Sequence, residues 1–179
     1  MKKTVLAAAL LASVNASAMQ LDLDNKYVGA SMHIVDYDIG IWDLDNSIGF
    51  GGVVGVPFKG LTNAGLPEQI NLSAEAGFIY LGSSEFDGTS NELTGYSMLG
   101  AGKLGFSFNE QASIHAKLGL NYLSLDSDYY DDSEMNILYG IGGEFKLNQQ
   151  LSVEANYTVF GEVDVIDVSS MNAGVNYKF

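Results

Sequence analysis

The sequence predicts an all-β fold: an eight-stranded antiparallel transmembrane β-barrel of up-and-down topology. Three observations predict it. Apolar and polar residues alternate with period two through eight successive runs. Aromatic residues on the apolar face sort to opposite strand ends. The links between runs alternate between short polar turns and longer acidic stretches. Period-two alternation is the mark of a strand with two unlike faces. A tilted transmembrane strand needs about 9–11 residues, and these runs are long enough.

The runs lie at 27–37, 46–58, 69–81, 93–108, 112–124, 135–147, 151–161 and 168–179. The first turns Val28, Ala30, Met32 and Ile34 to one face. The second does the same with Ile48, Phe50, Val54 and Val56, although Val53 breaks its pattern. In the third, Ile70, Leu72, Ala74, Ala76, Phe78 and Tyr80 oppose Asn71, Ser73, Glu75 and Gly77. The fourth contributes Tyr96, Phe106 and Phe108 to its apolar face. The fifth sets Ile114, Ala116, Leu118, Leu120 and Tyr122 against Ser113, His115, Lys117, Gly119 and Asn121. The sixth sets Ile137, Tyr139, Ile141, Phe145 and Leu147 against Gly140, Gly142, Glu144 and Lys146. The seventh sets Leu151, Val153, Ala155, Tyr157 and Val159 against Ser152, Glu154, Asn156 and Thr158. The last alternates Met171, Ala173, Val175, Tyr177 and Phe179 with Asn172, Gly174, Asn176 and Lys178.

A soluble β-sandwich would use the apolar faces as its core. The aromatics argue for lipid instead. Tyr80, Tyr96, Tyr122, Tyr139 and Tyr157 lie toward one set of strand ends; Phe58, Phe106, Phe108, Phe145, Tyr177 and Phe179 lie toward the other. Two aromatic girdles flanking an aliphatic band match the two water–lipid interfaces of a barrel.

The links agree. Asn109-Glu110-Gln111 and Asn148-Gln149-Gln150 are tight hairpins suited to the periplasmic side, while the third link there, 59–68, is longer than such turns usually are. The four opposite links hold 15 of the 22 acids and no lysine. They carry Asp36, Asp38, Asp43 and Asp45; Glu85, Asp87 and Glu92; Asp126, Asp128, Asp131, Asp132 and Glu134; and Glu162, Asp164 and Asp167. These are the expected extracellular loops.

The front of the chain reads as an export signal. Lys2 and Lys3 precede a short apolar stretch, Val5 to Val14, and an Ala16-Ser17-Ala18 cleavage site. Residues 1–18 are therefore expected to be a cleaved signal peptide and 19–179 the barrel domain. The apolar stretch falls short of the roughly 20 residues of a membrane-spanning helix. An exported membrane chain without such a helix must span as a closed barrel. After cleavage, 22 acids face 6 lysines, with no arginine and no cysteine. A disulfide framework is excluded, and nucleic-acid binding lacks the basic stripe it needs.

Facing the strands across the 109–111 hairpin sets Lys103 opposite Lys117; across 148–150 it sets Glu144 opposite Glu154. Around the barrel the order is Glu75, Lys103, Lys117, Glu144, Glu154. Buried charges are tolerated when paired, so an internal ion-pair plug is expected, with Glu75–Lys103 and Lys117–Glu144 as cross-strand pairs. The interior of an eight-stranded barrel is about filled by side chains in any case. The competing reading is a narrow path for small cations drawn by the acidic mouth.

From about Gly95 to Phe179 the chain resembles the small OmpA/OmpX-like outer-membrane barrels, especially the OmpX/Ail type. The resemblance rests on Gly105-Phe106-Ser107-Phe108-Asn109-Glu110-Gln111-Ala112-Ser113-Ile114, Tyr139-Gly140-Ile141-Gly142-Gly143-Glu144-Phe145, Leu151-Ser152-Val153-Glu154-Ala155-Asn156-Tyr157 and the last strand. It implies a monomeric barrel in the outer membrane, among outer-membrane lipids and lipopolysaccharide, whose loops contact the outside. It also implies that Phe179, with Tyr177, is part of the address read by the outer-membrane assembly machinery. The peptidoglycan-binding domain of longer relatives is absent from this sequence, as are the basic loop residues that Ail-type proteins turn toward host ligands.

No catalytic, cofactor-binding or metal site is expected. Some eight-stranded barrels are lipid A acyl-modifying enzymes using histidine, serine and a carboxylate. Here Ser113 and His115 share one strand face, a spacing that alternation alone produces. Asp126, Asp128 and Asp132 start like a calcium loop, but Asp131 stands where it needs glycine and Ile137 where it needs glutamate. A diffuse divalent-cation site, a salt-adapted composition and a merely solvated loop stay open. Trp42, Tyr129 and Tyr130 stand among these acids, as a contact patch or as loop packing. The expected role is structural or surface-interacting, with the cation channel as alternative and the enzyme as a remote one.

Overall fold

The structure, a computed structural model, describes residues 19–38, 46–85, 92–127 and 130–179. The leader 1–18 and the loop residues Trp42, Asp43, Asp45, Asp87, Asp128 and Tyr129 lie outside the described residues.

Among the described residues nine strands follow one another: β1 (Gln20–Leu21), β2 (Tyr27–Asp38), β3 (Ser47–Lys59), β4 (Ile70–Glu85), β5 (Glu92–Ser107), β6 (Ala112–Ser127), β7 (Tyr130–Lys146), β8 (Leu151–Val163) and β9 (Ile166–Lys178). Each of the eight long strands pairs antiparallel with its sequence neighbours, and β2 pairs with β9 to close the barrel. Up-and-down connection follows from the short links, because antiparallel neighbours need only hairpins.

The apolar faces point outward. Met32, Ile34, Phe50, Leu118, Ile141 and Met171 are all more than half exposed. This is the inverse of a sandwich and the arrangement lipid demands. Tyr80 and Tyr96 pack 5.4 Å apart at one border of the aliphatic band. At the opposite border Phe106 meets Phe108 at 5.6 Å and Tyr177 meets Phe179 at 5.2 Å, each pair edge to face.

Four features differ from the sequence reading. First, the two-residue β1 adds to the end of β3, with Gln20 opposite Lys59 and Leu21 opposite Phe58. A 3-10 turn at Leu23–Asn25 then leads into β2. β3 outruns its pairing with β4, which ends at Pro57–Ser73. The chain must return from that overhang, which accounts for the long 59–68 link; Gly60 and Gly65 take positive φ within it.

Second, the link at 126–134 is not a loop. Pairing between β6 and β7 continues to Ser127–Tyr130, so Asp126, Asp131, Asp132 and Glu134 belong to strands. β4 and β5 likewise extend to Glu85 and Glu92. The strands outrun the aromatic border because ladder bonds continue through water as readily as through lipid. We call this projecting sheet the ribbon end and the side of the 109–111 and 148–150 hairpins the turn end. Third, the link at 162–167 is only a tight Asp164–Val165 turn, with Asp164 at φ 58°.

Fourth, the lumen is not polar throughout. Its ribbon-end half is largely apolar, with Ser47, Ser84, Ser97 and Asn121 buried among the apolar side chains. Two bulges help build it. Pairing shifts between Tyr80 and Gly82 on β4 and between Val159 and Gly161 on β8. Each bulge inserts one extra residue, Leu81 or Phe160, and both side chains are fully buried. The glycine that follows adopts a positive φ, 83° at Gly82 and 99° at Gly161, a conformation that suits glycine.

Large inward side chains face small partners. Tyr27 lies opposite Gly55, and His115 lies between Gly105 and Gly142. Val53, which breaks the alternation, fills the space left by Gly29 and Gly77 on its two neighbouring strands. Gly55→Val should therefore expel the Tyr27 ring, since a Cβ there would run into the ring carbon Cζ. Overpacking of this kind costs about 1–3 kcal/mol. Urea unfolding should show a lower midpoint for Gly55→Val and partial recovery in Gly55→Val/Tyr27→Ala.

Candidate functional site

The inward faces of β4, β5, β6, β7 and β8 bring Glu75, Lys103, Lys117, Glu144 and Glu154 into one cluster. Registers set Lys103 opposite Lys117 and Glu144 opposite Glu154. Like charges directly opposite repel, so each group must find its partner elsewhere. Lys103 Nζ sits 2.9 Å from Glu154, 3.1 Å from Glu144 and 3.7 Å from Glu75. Lys117 Nζ sits 2.9 Å from Glu75 and 3.6 Å from Glu154. The expected pair Lys117–Glu144 is replaced by Lys103–Glu144. The two ammonium groups diverge: Lys103 leans toward the turn end, where it lines a wide well with Glu144. Lys117 instead lines a small cavity with His33 and Ile79.

Neutral groups complete the cluster, and the sequence reading did not find them. Tyr27 donates its hydroxyl to Glu75, and its ring lies 5.8 Å from Lys103 Nζ. Asn176 donates to Glu154 at 3.1 Å. Asn156 donates through Nδ2 to Glu154 and to Asn172, and its Oδ1 pairs with His115 Nε2. The signal for Tyr27 was present: an aromatic on the polar face of its strand, opposite a glycine. For the asparagines only the polar parity was visible.

Beyond the cluster, toward the ribbon end, lies the apolar cap. Val35, Leu81, Leu123, Leu125, Phe160 and Val163 are fully buried there, with Tyr37 and Leu138 beside them. Toward the turn end lies the open well, about 820 Å³ in volume, lined by polar residues such as Ser73, Ser113, Ser152 and Asn176. The lumen is thus an open polar-lined well, a charged floor and a largely apolar cap in series. Of the remaining candidates, Tyr177 and Phe179 face outward at the turn end, where Phe179 N–H donates to Lys26 C=O. Asp126, Asp132 and Glu134 stand exposed on the ribbon.

The family model described as outer membrane protein beta-barrel domain matches residues 4–179. No curated protein matches the chain. Among solved structures, the chain is similar to Ail, the attachment invasion locus protein of Yersinia pestis, in complex with the heparin analogue sucrose octasulfate. The TM-score is 0.60 and the identity 15%, over 88% of this chain and 100% of that one. It is also similar to Neisserial surface protein A, with TM-score 0.54 and 17% identity over 86% and 97% of the two chains. At these identities the likeness is one of fold.

Removing one partner from a buried charged network leaves the others uncompensated, at a cost of about 3–5 kcal/mol. Lys103→Met should lower the urea midpoint of the lipid-inserted protein, and Lys103→Met/Glu154→Gln should recover part of the loss. An unchanged midpoint in Lys103→Met would mean that the three carboxylates do not depend on this ammonium.

Proposed function

The chain belongs to the outer membrane protein β-barrel domain family, and from that premise we propose that it is a sealed surface barrel. In this reading residues 1–18 are removed on export and the mature chain inserts as a monomer. Tyr177 and Phe179 address it to the assembly machinery. The well opens to the periplasm, and the acidic ribbon stands outside among lipopolysaccharide. The barrel conducts no ions.

The observation that carries this reading is the cap. A pore needs a continuous path of water, and an apolar constriction closes by dewetting. Here fully buried, mostly apolar side chains occupy the lumen at the ribbon end, and an ion crossing them would exchange its hydration for only a few polar groups such as Ser97 and Asn121. The ion-pair cluster below is a second barrier in series. The alternative of a cation channel needs both to open. The alternative of a lipid-modifying enzyme needs Ser113 and His115 to act together, yet His115 Nε2 is engaged by Asn156.

The outer surface supports contact with cations rather than with anions. Asp126, Asp132 and Glu134 are exposed there, and the sequence places no lysine or arginine between Asp126 and Glu134. Ail binds a heparin analogue in its crystal structure; an acidic ribbon disfavours that ligand class here. Divalent cations bridging these carboxylates to lipopolysaccharide phosphates fit the charge.

Refolded mature protein, its folding verified by a heat-modifiability gel, should be silent in planar-bilayer recordings. Lys103→Met should be silent too, because the cap remains. Lys103→Met combined with Leu81→Ala and Phe160→Ala should show discrete steps. Cation-selective steps from the unmodified protein would replace the sealed barrel by the channel.

A further inference from the structure

We propose that the N-terminal segment 20–25 is a lipid-contacting anchor, which lays Leu21 and Leu23 into the boundary between headgroups and acyl chains of the phospholipid leaflet at the turn end. The segment lies outside the eight strands that close the barrel. Closure does not require it, since the seam between β2 and β9 begins at Tyr27–Lys178. The inference rests on the barrel's place in a bilayer and not on its being sealed.

β1 prolongs the line of β2 along the edge of β3. The β2–β3 ladder stops at Tyr27–Gly55 and resumes at Leu21–Phe58 and Gln20–Lys59. The 3-10 turn at Leu23–Asn25 takes up the extra residues between them. Asp22 N–H donates to Pro57 C=O at 2.7 Å, and the Asp22 carboxylate accepts from Asn25 Nδ2 at 2.6 Å. Lys59 adds an ion pair to Asp22 at 3.9 Å. These bonds fasten the segment to the barrel wall.

Directly opposed residues of an antiparallel pair share one face. Phe58 continues the outward parity of Val54 and Val56, so Leu21 faces outward at the height of the aromatic border. Asn25 lines the well, and neither Leu21 nor Leu23 does. Leu21 is 49% exposed and Leu23 64%, so the described protein covers neither. Gln20, Asp22 and Asp24 alternate with them, which carries the period-two pattern of the strands past their end. Single exposed leucines need no explanation, but these two adjoin a surface already committed to lipid. Phe58 on β3 stands to one side, and Tyr177 and Phe179 on β9 stand to the other. On β2 the aromatic at this level, Tyr27, turns inward to Glu75. The two leucines thus stand where the girdle would otherwise be interrupted. Lys26 and Lys59 balance Asp22 and Asp24, so the surface selects the apolar boundary rather than a headgroup charge.

The sequence holds no cysteine, so one introduced cysteine takes a nitroxide label at a single place. Leu21→Cys, Leu23→Cys, Asp24→Cys, Thr62→Cys and Ile141→Cys are each refolded as the mature chain into phosphatidylcholine vesicles, with folding verified by gel mobility. Electron paramagnetic resonance then compares the label's access to oxygen, which concentrates in lipid, and to a water-soluble nickel chelate. Labels at 21 and 23 should match Ile141 in the lipid band, with oxygen the stronger relaxer; labels at Asp24 and Thr62 should show the reverse. Adding phosphatidylglycerol to the vesicles should change neither pattern. Nickel access at 23 equal to that at Thr62 would overturn the anchor and leave the segment as a strap in water. Lipid access at 21 and 23 that appears only with phosphatidylglycerol would overturn it too, in favour of a contact driven by charge. Because conductance depends on the cap and this labelling on the segment, either reading can fail without the other.

Discussion

Everything in this molecule depends on closing the backbone ladder. In hydrocarbon an unpaired N–H or C=O costs several kcal/mol, so a membrane sheet can have no free edge. The pairing of β2 with β9 removes the last one. Closure at eight strands then fixes the bore, and the bore fixes how much side chain the lumen must hold. The chain meets that volume by setting bulk against nothing: Tyr27 against Gly55, His115 against Gly105 and Gly142, Val53 between Gly29 and Gly77. Several glycines of the sequence are the complement of its few large inward residues.

The same confinement shapes the electrostatics. Two lysines face each other on adjacent strands and so do two glutamates, which would be unfavourable on an open sheet. Inside a cylinder the partners across the bore are as close as those alongside, and Lys103 reaches both Glu144 and Glu154. A buried ion-pair network is weak evidence for stability, because desolvation offsets much of the attraction. Its stronger effect here is on register. Sliding one strand by a single residue would turn a charge from the lumen into lipid.

Sequence alternation was enough to read the eight strands, their order, the outward face and the five charges of the cluster, because period two is a local property. The hairpins at 109–111 and 148–150 were short enough to carry register across the turn, so Lys103–Lys117 and Glu144–Glu154 followed. The pairing of Lys117 did not, because it is made across the lumen, where strand order says nothing about which way a long side chain leans. The acidic stretch 126–134 looked like a loop because both faces of a water-exposed ribbon are polar and the alternation fades. The cap was hidden for two reasons. Val35, Leu123, Leu125 and Leu138 sit on a face that reads polar for most of its length. Leu81 and Phe160 are extra residues that bulges add, and a bulge interrupts the very period on which the reading relied.

Those two bulges lie on β4 and β8, strands on opposite walls of an eight-strand cylinder. Deleting Leu81 would let Tyr80 and Gly82 run on in unbroken alternation, and deleting Phe160 would do the same for Val159 and Gly161. The lipid-facing surface would keep its parity in both cases. The occupancy of the bore is therefore separable in evolution from insertion into the membrane. Two of the largest side chains of the cap are thus additions to the bore that leave no trace in the pattern presented to lipid.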